Sequence, residues 1–81
     1  MLDIKNMQYL EAIYRLKNFT KASAELHVSQ PAISAAISSM EKELGFTLMN
    51  RTPQFVVFTT AGENFMLYIR RILEDYDKTL M

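Results

Sequence analysis

The stretch VSQPAISAAISSMEKELG, Val28 to Gly45, constrains the fold more than any other part of the chain. Ile33, Ile37, Met40 and Leu44 recur at steps of four, three and four, which a helix gathers into one apolar stripe. Ser29 stands where its hydroxyl can accept a hydrogen bond from a first-turn amide. Pro31 is tolerated there, because its missing N–H would have had no helical partner. Gly45 is placed to end the helix as a left-handed cap. The other surface of this helix is small and neutral. Gln30, Ser34 and Ser38 are four apart and share a face, read here as roughly opposite the isoleucines. Ala32 and Ala35 lie beside them, and no positive charge occurs before Lys42.

The flanking periods supply the rest of the architecture. Met7, Leu10, Ile13 and Tyr14 mark a first helix, capped by Asp3 and expected to end near Asn18. A short second helix follows, with Thr20 as its expected cap, Ala22 and Leu26 facing inward, and Val28 in a tight turn behind it. After Gly45 the segments TLMNR and FVVFT are rich in β-forming residues, with TPQ between them, and read as a small hairpin. Thr60-Ala61-Gly62-Glu63 fits a capping box at the head of a long helix. Along that helix Phe65, Ile69, Ile72 and Tyr76 form a seam like that of a coiled coil, widened by Leu73 and Leu80.

The expected fold class is therefore mainly α: a winged helix-turn-helix of three helices plus a small β-hairpin wing, followed by a long C-terminal linker helix. Residues 1–59 would form the winged unit, with the helix-turn-helix at about 19–44 and the wing at about 48–59. Residues 60–81 would form a linker and dimerisation helix.

Composition narrows the functions. Eighty-one residues suit one domain. The absence of cysteine removes disulfides, thiolate zinc sites and cysteine nucleophiles, and suits a reducing compartment such as the cytoplasm. No apolar run follows a basic N-terminus, so no signal peptide is expected. No stretch approaches the roughly 20 apolar residues of a membrane span, so no membrane partner is expected. The single histidine, His27, sits in the helix-turn-helix turn without a second ligand, which points to a capping or surface role rather than a metal. The hydroxyl residues lack a base, so neither a nucleophile nor a cofactor is expected, and the chain is not read as an enzyme. Nine basic residues balance nine acidic ones, which counts against nucleic acid unless the charges segregate. The sequence leaves room for that: Lys5, Arg15, Lys17, Lys21, Lys42 and Arg51 precede residue 52, whereas Glu74, Asp75 and Asp77 cluster near the end.

A helix-turn-helix lays its second helix in the DNA major groove, with N-terminal residues at base edges. A glutamine can pair with adenine through both ends of its carboxamide, a serine can donate or accept at several bases, and an alanine can touch a thymine methyl. A neutral recognition helix can therefore read DNA if cations elsewhere hold it in place.

The run FTKASAELHVSQPAISAAISSMEKELGFTLMNR, followed by FTTAGE, resembles the N-terminal DNA-binding domain of LysR-type transcriptional regulators. The matching residues are Phe19-Thr20, Ala22, Val28-Ser29-Gln30-Pro31-Ala32, Ser34, Ile37, Glu41, Leu44-Gly45, Leu48, Arg51 and Thr60-Ala61-Gly62. The resemblance implies a bacterial regulator that binds inverted-repeat double-stranded DNA as a homodimer through its C-terminal helix. It also implies a small-molecule effector on a further C-terminal domain, expected to be absent from this chain. Nothing in these residues bears on contact with RNA polymerase.

Two departures from the family pattern stand out. Ala35 occupies a position where the family usually carries arginine, and TPQFVVF replaces a wing that usually carries arginine or lysine. Both remove cations, so affinity per domain is expected to be low and dependent on dimerisation.

The expected DNA-binding set is Lys21, Ser29, Gln30, Pro31, Ala32, Ser34, Ala35, Ser38 and Arg51. Arg51 can meet a phosphate or hold Glu41 or another acid in place. The expected dimerisation set is Phe65, Ile69, Ile72, Leu73 and Tyr76, although that seam can also pack on the chain's own first helix. The competing reading is a protein–protein module that kept the fold and lost DNA binding.

Overall fold

Each helix begins on a side-chain oxygen. In the computed structural model, which describes residues 2–52 and 54–81, Asp3 Oδ1 accepts from the Asn6 amide at 2.8 Å and opens α1 (Ile4–Leu16). Asn18 Oδ1 accepts from the Lys21 amide at 2.8 Å and opens α2 (Phe19–Leu26). Ser29 Oγ accepts from the Ala32 amide at 3.2 Å and opens α3 (Gln30–Leu44). Thr59 Oγ1 accepts from the Gly62 amide at 2.9 Å and opens α4 (Thr60–Thr79). Such caps satisfy amides that have no partner within the helix.

Two of these caps correct the sequence reading. Asn18, not Thr20, caps α2, because α1 already stops at Leu16 and Lys17 turns back in the left-handed region at φ 54°. Thr59, not Thr60, caps α4. The Thr59 amide donates to the Leu48 carbonyl at 3.0 Å and its hydroxyl donates to the Thr47 carbonyl at 2.6 Å, which locks this residue outside the helix. Gly62 then occupies the position where a capping box needs Glu or Gln. Glu63, one residue further on, accepts instead from the Tyr14 hydroxyl at 2.6 Å.

The strands β1 (Met49–Arg51) and β2 (Val56–Phe58) pair antiparallel, Met49 opposite Phe58 and Arg51 opposite Val56. The expected TPQ turn includes Pro53, which lies outside the described residues. The Thr52 amide donates to the Phe55 carbonyl at 2.9 Å and closes the hairpin. With four helices and this two-stranded hairpin, the chain is a winged helix-turn-helix followed by a long helix.

One core unites all elements. Leu10 and Ile13 of α1, Ala22 of α2, and Ile33, Ile37 and Met40 of α3 are fully buried. Leu48, Met49, Val56 and Phe58 close it from the wing side, and Met66, Ile69 and Leu73 close it from α4. Gly45 ends α3 at φ 83°, as the sequence indicated, and His27 ends α2 at φ 57° with its amide bonded back into the helix. His27 is thus a backbone cap.

Helix α4 seats on the wing by close backbone approach. A Cβ on Gly62 would lie 2.0 Å from the Leu48 carbonyl oxygen, so only glycine fits. Gly62→Ala should therefore force α4 off this seat at a cost of about 2 kcal/mol or more, lowering the melting temperature by roughly 8 °C or more. Thermal unfolding followed by circular dichroism measures this. An unchanged melting temperature would mean that α4 does not rest on Leu48.

Candidate nucleic-acid interface

The buried stripe of α3 decides which residues it can offer outward. Gln30, Pro31, Ala32, Ala35 and Ser38 are exposed and Ser34 is half-buried. The polar residues do not lie opposite the isoleucines as the four-residue spacing suggested. At about 100° per residue, the line through Gln30, Ser34 and Ser38 sits about 90° round from the centre of the buried stripe. By the same geometry Pro31, Ala35 and Lys42 point away from the core. Gln30 and Ser34 therefore lie on the flank of the helix, and both are engaged by neighbouring elements. Gln30 Nε2 donates to Thr20 Oγ1 of α2 at 2.9 Å. Ser34 Oγ accepts from Arg51 Nη1 of β1 at 3.1 Å.

Arg51 links three elements. Its guanidinium carbon lies 4.5 Å from the centre of the Phe19 ring, while one nitrogen reaches Ser34. A guanidinium stacked on an aromatic face is held in one plane and keeps its charge. Of the roles open to Arg51 in the sequence, holding Glu41 is not the one it takes, because its guanidinium is on Ser34 and Phe19. Glu41 Oε2 accepts instead from the backbone amides of Leu48, at 2.7 Å, and Met49, at 3.4 Å.

These residues surround an open cavity of about 190 Å³ between the starts of α2 and α3 and the wing. Asn18, Phe19, Thr20, Gln30, Ser34, Arg51, Thr52, Gln54 and Phe55 line it with Val56. Among the described residues of that lining, Arg51 is the one charged side chain. The wing is held in register with this site by the α1–α2 connection. The Val56 amide donates to the Lys17 carbonyl at 3.0 Å, and Asn18 Nδ2 donates to the Gln54 carbonyl at 3.4 Å.

Two further cations, Arg15 and Lys17, are committed elsewhere. Arg15 sits between Glu11 and Glu25, and its hydrogen bonds hold the Glu25 carboxyl below the usual carboxylate range. Lys17 Nζ donates to the Tyr14 carbonyl and lies 3.8 Å from the centre of the Tyr14 ring. Lys21 is exposed on α2 but does not line the cavity. Ser29 is spent on capping α3. Among the described residues no group of three or more His, Cys, Asp and Glu side chains could hold a metal ion. Among the described residues no helix is long and apolar enough to cross a membrane.

The expected seam on α4 divides. Ile69 and Leu73 are 1% and 8% exposed, packed into the chain's own core, and so are not available to a second chain. Phe65 packs edge-on against Phe46, with ring centres 5.9 Å apart. Ile72 is exposed and Tyr76 half-buried. Tyr68, 64% exposed, joins them on the same side of the helix, and Leu67 is exposed further round. The four-three-four spacing straddles the line between the core face and its flank, which periodicity alone does not separate.

Sequence reasoning did not give Phe19 and Thr20 their places at the site. Thr20 had been assigned to a cap, and no spacing rule brings residue 20 to residue 30. Only the angle between α2 and α3 does so.

This geometry, a polar helix face flanked by a wing arginine, defines a winged helix-turn-helix of the nucleic-acid-binding kind. Residues 4–63 match the family described as bacterial regulatory helix-turn-helix protein, lysR family, and the chain belongs to it. It is 39% identical over 79 residues to the uncharacterized HTH-type transcriptional regulator YcgK of Bacillus subtilis, covering 98% of this chain and 24% of that protein. It is 36% identical over 74 residues to the DNA-binding transcriptional dual regulator OxyR of Escherichia coli, covering 91% and 24%. The chain thus spans about a quarter of the length of these relatives. Among solved structures, the CbnR DBD–DNA complex matches with a TM-score of 0.90 and 32% identity, over 96% of this chain and 90% of that one. The BenM DBD/benA site 1 DNA complex matches with a TM-score of 0.90 and 30% identity, over 98% and 89%.

Proposed function

We propose that this chain is the sequence-specific DNA-binding unit of a bacterial transcriptional regulator that acts in the cytoplasm, with α3 in the major groove. The observation that carries this reading is the exposed, uncharged start of α3 beside a cavity lined by the charged side chain of Arg51. Gln30, Ser34 and Ser38 are the polar readers. Pro31, Ala32 and Ala35 keep the helix surface low, so the backbone can approach the bases closely. Ser29 opens the helix start, where the positive end of the helix dipole favours a phosphate. Lys21 and Arg51 supply backbone contacts from either side. The work is binding rather than catalysis. A small-molecule effector would act on a portion of the regulator outside these 81 residues.

The second part of the reading is a homodimer through α4. Phe65, Tyr68, Ile72 and Tyr76 follow one another at steps of three, four and four and give α4 an apolar flank beside its core face. Two chains joined there would present two copies of α3 to an inverted repeat, with half-sites on one face of the duplex. The linker role of residues 60–81 rests on the second half of α4. Beyond Leu73 only Tyr76 is better than exposed among the described residues of that helix.

Selection of duplexes from a random pool, followed by anisotropy across a salt series, tests the DNA reading. The expected result is an inverted repeat, with a salt slope equivalent to about 4 to 7 phosphates per dimer. Gln30→Ala and Ser34→Ala should each lose roughly 1–3 kcal/mol of base discrimination, and Arg51→Gln should lower the slope by about 1 per domain. Weak, even binding to every duplex, unchanged by these substitutions, would favour the protein–protein module.

The dimer is tested by sedimentation of Tyr68→Glu and Ile72→Glu. Both side chains are exposed, so helicity should be retained while the chain shifts from dimer to monomer. A wild-type chain that sediments as a monomer at every concentration would contradict the α4 interface.

A further inference from the structure

Thr20 sits at the start of the helix that precedes the recognition helix, and its hydroxyl oxygen accepts from Gln30 Nε2 at 2.9 Å. We propose that Thr20 is a specificity-positioning residue, which holds the end of the Gln30 side chain in place beside the base edge and so sharpens the preference at the base pair that Gln30 reads. The proposal rests on the reading above that Gln30 faces base edges.

The chemistry is one of donors and acceptors. A glutamine carboxamide has two N–H donors and one carbonyl acceptor. With one N–H donated to Thr20, Gln30 keeps one N–H and Oε1. Adenine offers a matching pair in the major groove, an acceptor at N7 and a donor at N6. The orientation is held at its far end by an element other than the recognition helix. Thr20 is itself fixed by its place in the first turn of α2, where its carbonyl accepts from Ser23 Oγ at 2.8 Å. Asn18 caps that same turn, and its side-chain amide also reaches the wing at Gln54. Without the Thr20 hydroxyl, the end of the Gln30 side chain loses its anchor on α2 and is free to change rotamer. Its donor and acceptor then spread over more than one position at the base edge, which relaxes the preference there.

Thr20 is exposed, so Thr20→Val, which keeps the side-chain shape and removes the hydroxyl, should leave the fold intact. The test is selection from a random duplex pool with the wild-type chain and with Gln30→Ala, Thr20→Val and Thr20→Ser. Gln30→Ala identifies the base pair that Gln30 reads, as the position whose preference disappears. Thr20→Val should lower the preference at that same base pair by on the order of tenfold, leave the other positions and the salt slope unchanged, and be rescued by Thr20→Ser. Thr20→Val that weakens all duplexes evenly and lowers the salt slope by about 1 would make Thr20 a phosphate contact and overturn the proposal. Thr20→Val with wild-type preferences at every position would overturn it as well. In both cases Gln30 would remain a reader. Gln30→Ala with wild-type preferences throughout would instead remove the underlying reading, and the proposal with it.

Discussion

Burial of Ile33, Ile37 and Met40 against α1 is the constraint on which the rest of this structure depends. Each is fully removed from solvent, and together they fix the rotation of α3 about its own axis. Fully burying a side chain of this size stabilises the fold by roughly 1.5–3 kcal/mol. A rotation that exposed the stripe would therefore cost about 4.5–9 kcal/mol, comparable with the whole stability of a domain of this size. Once the rotation is set, so is the outer surface. Pro31 and Ala35 point outward, while Gln30 and Ser34 come to the flank that meets α2 and the wing. The neutral, low-relief face of α3 is thus a product of core packing as much as of its own composition.

The same economy explains how a chain with no net charge can present a cationic site. Charges are sorted by place rather than by number. Arg15 is neutralised by Glu11 and Glu25 on the surface of α1 and α2, and Lys17 is folded over Tyr14. Arg51 is carried by β1 to the flank of α3, where Phe19 and Ser34 hold it and, among the described residues, no carboxylate lines the cavity. The acidic residues Glu74, Asp75 and Asp77 lie on the exposed second half of α4. The wing arginine thereby brings a charge to the recognition helix, which itself carries alanine at position 35.

Much of this was legible in the sequence, for identifiable reasons. The α3 stripe, the Ser29 cap, the Gly45 terminus and the order of elements follow from periodicity and capping chemistry, which are local. Errors occurred where local signals had two readings. Thr59 and Thr60 are both competent caps, and only bonds to Thr47 and Leu48 decide between them. Thr20 resembles a cap but lies in the first turn of a helix that Asn18 starts. Ile69 and Leu73 resemble a dimer seam, yet they face the chain's own core, because Gly62 draws α4 down onto the wing. The links between Gln30 and Thr20 and between Arg51 and Phe19 join different elements, and no spacing rule reaches them.

The most direct measurement is a titration of the 15N-labelled chain with a duplex recovered by selection, followed by amide and side-chain chemical shifts. The interface described here predicts that Gln30, Ser34, Ala35, Ser38 and Arg51 move most, with the Gln30 carboxamide and the Arg51 guanidinium among the largest changes. The exposed flank of α1 should stay still. Shifts confined to α4 while the start of α3 remains silent would contradict it.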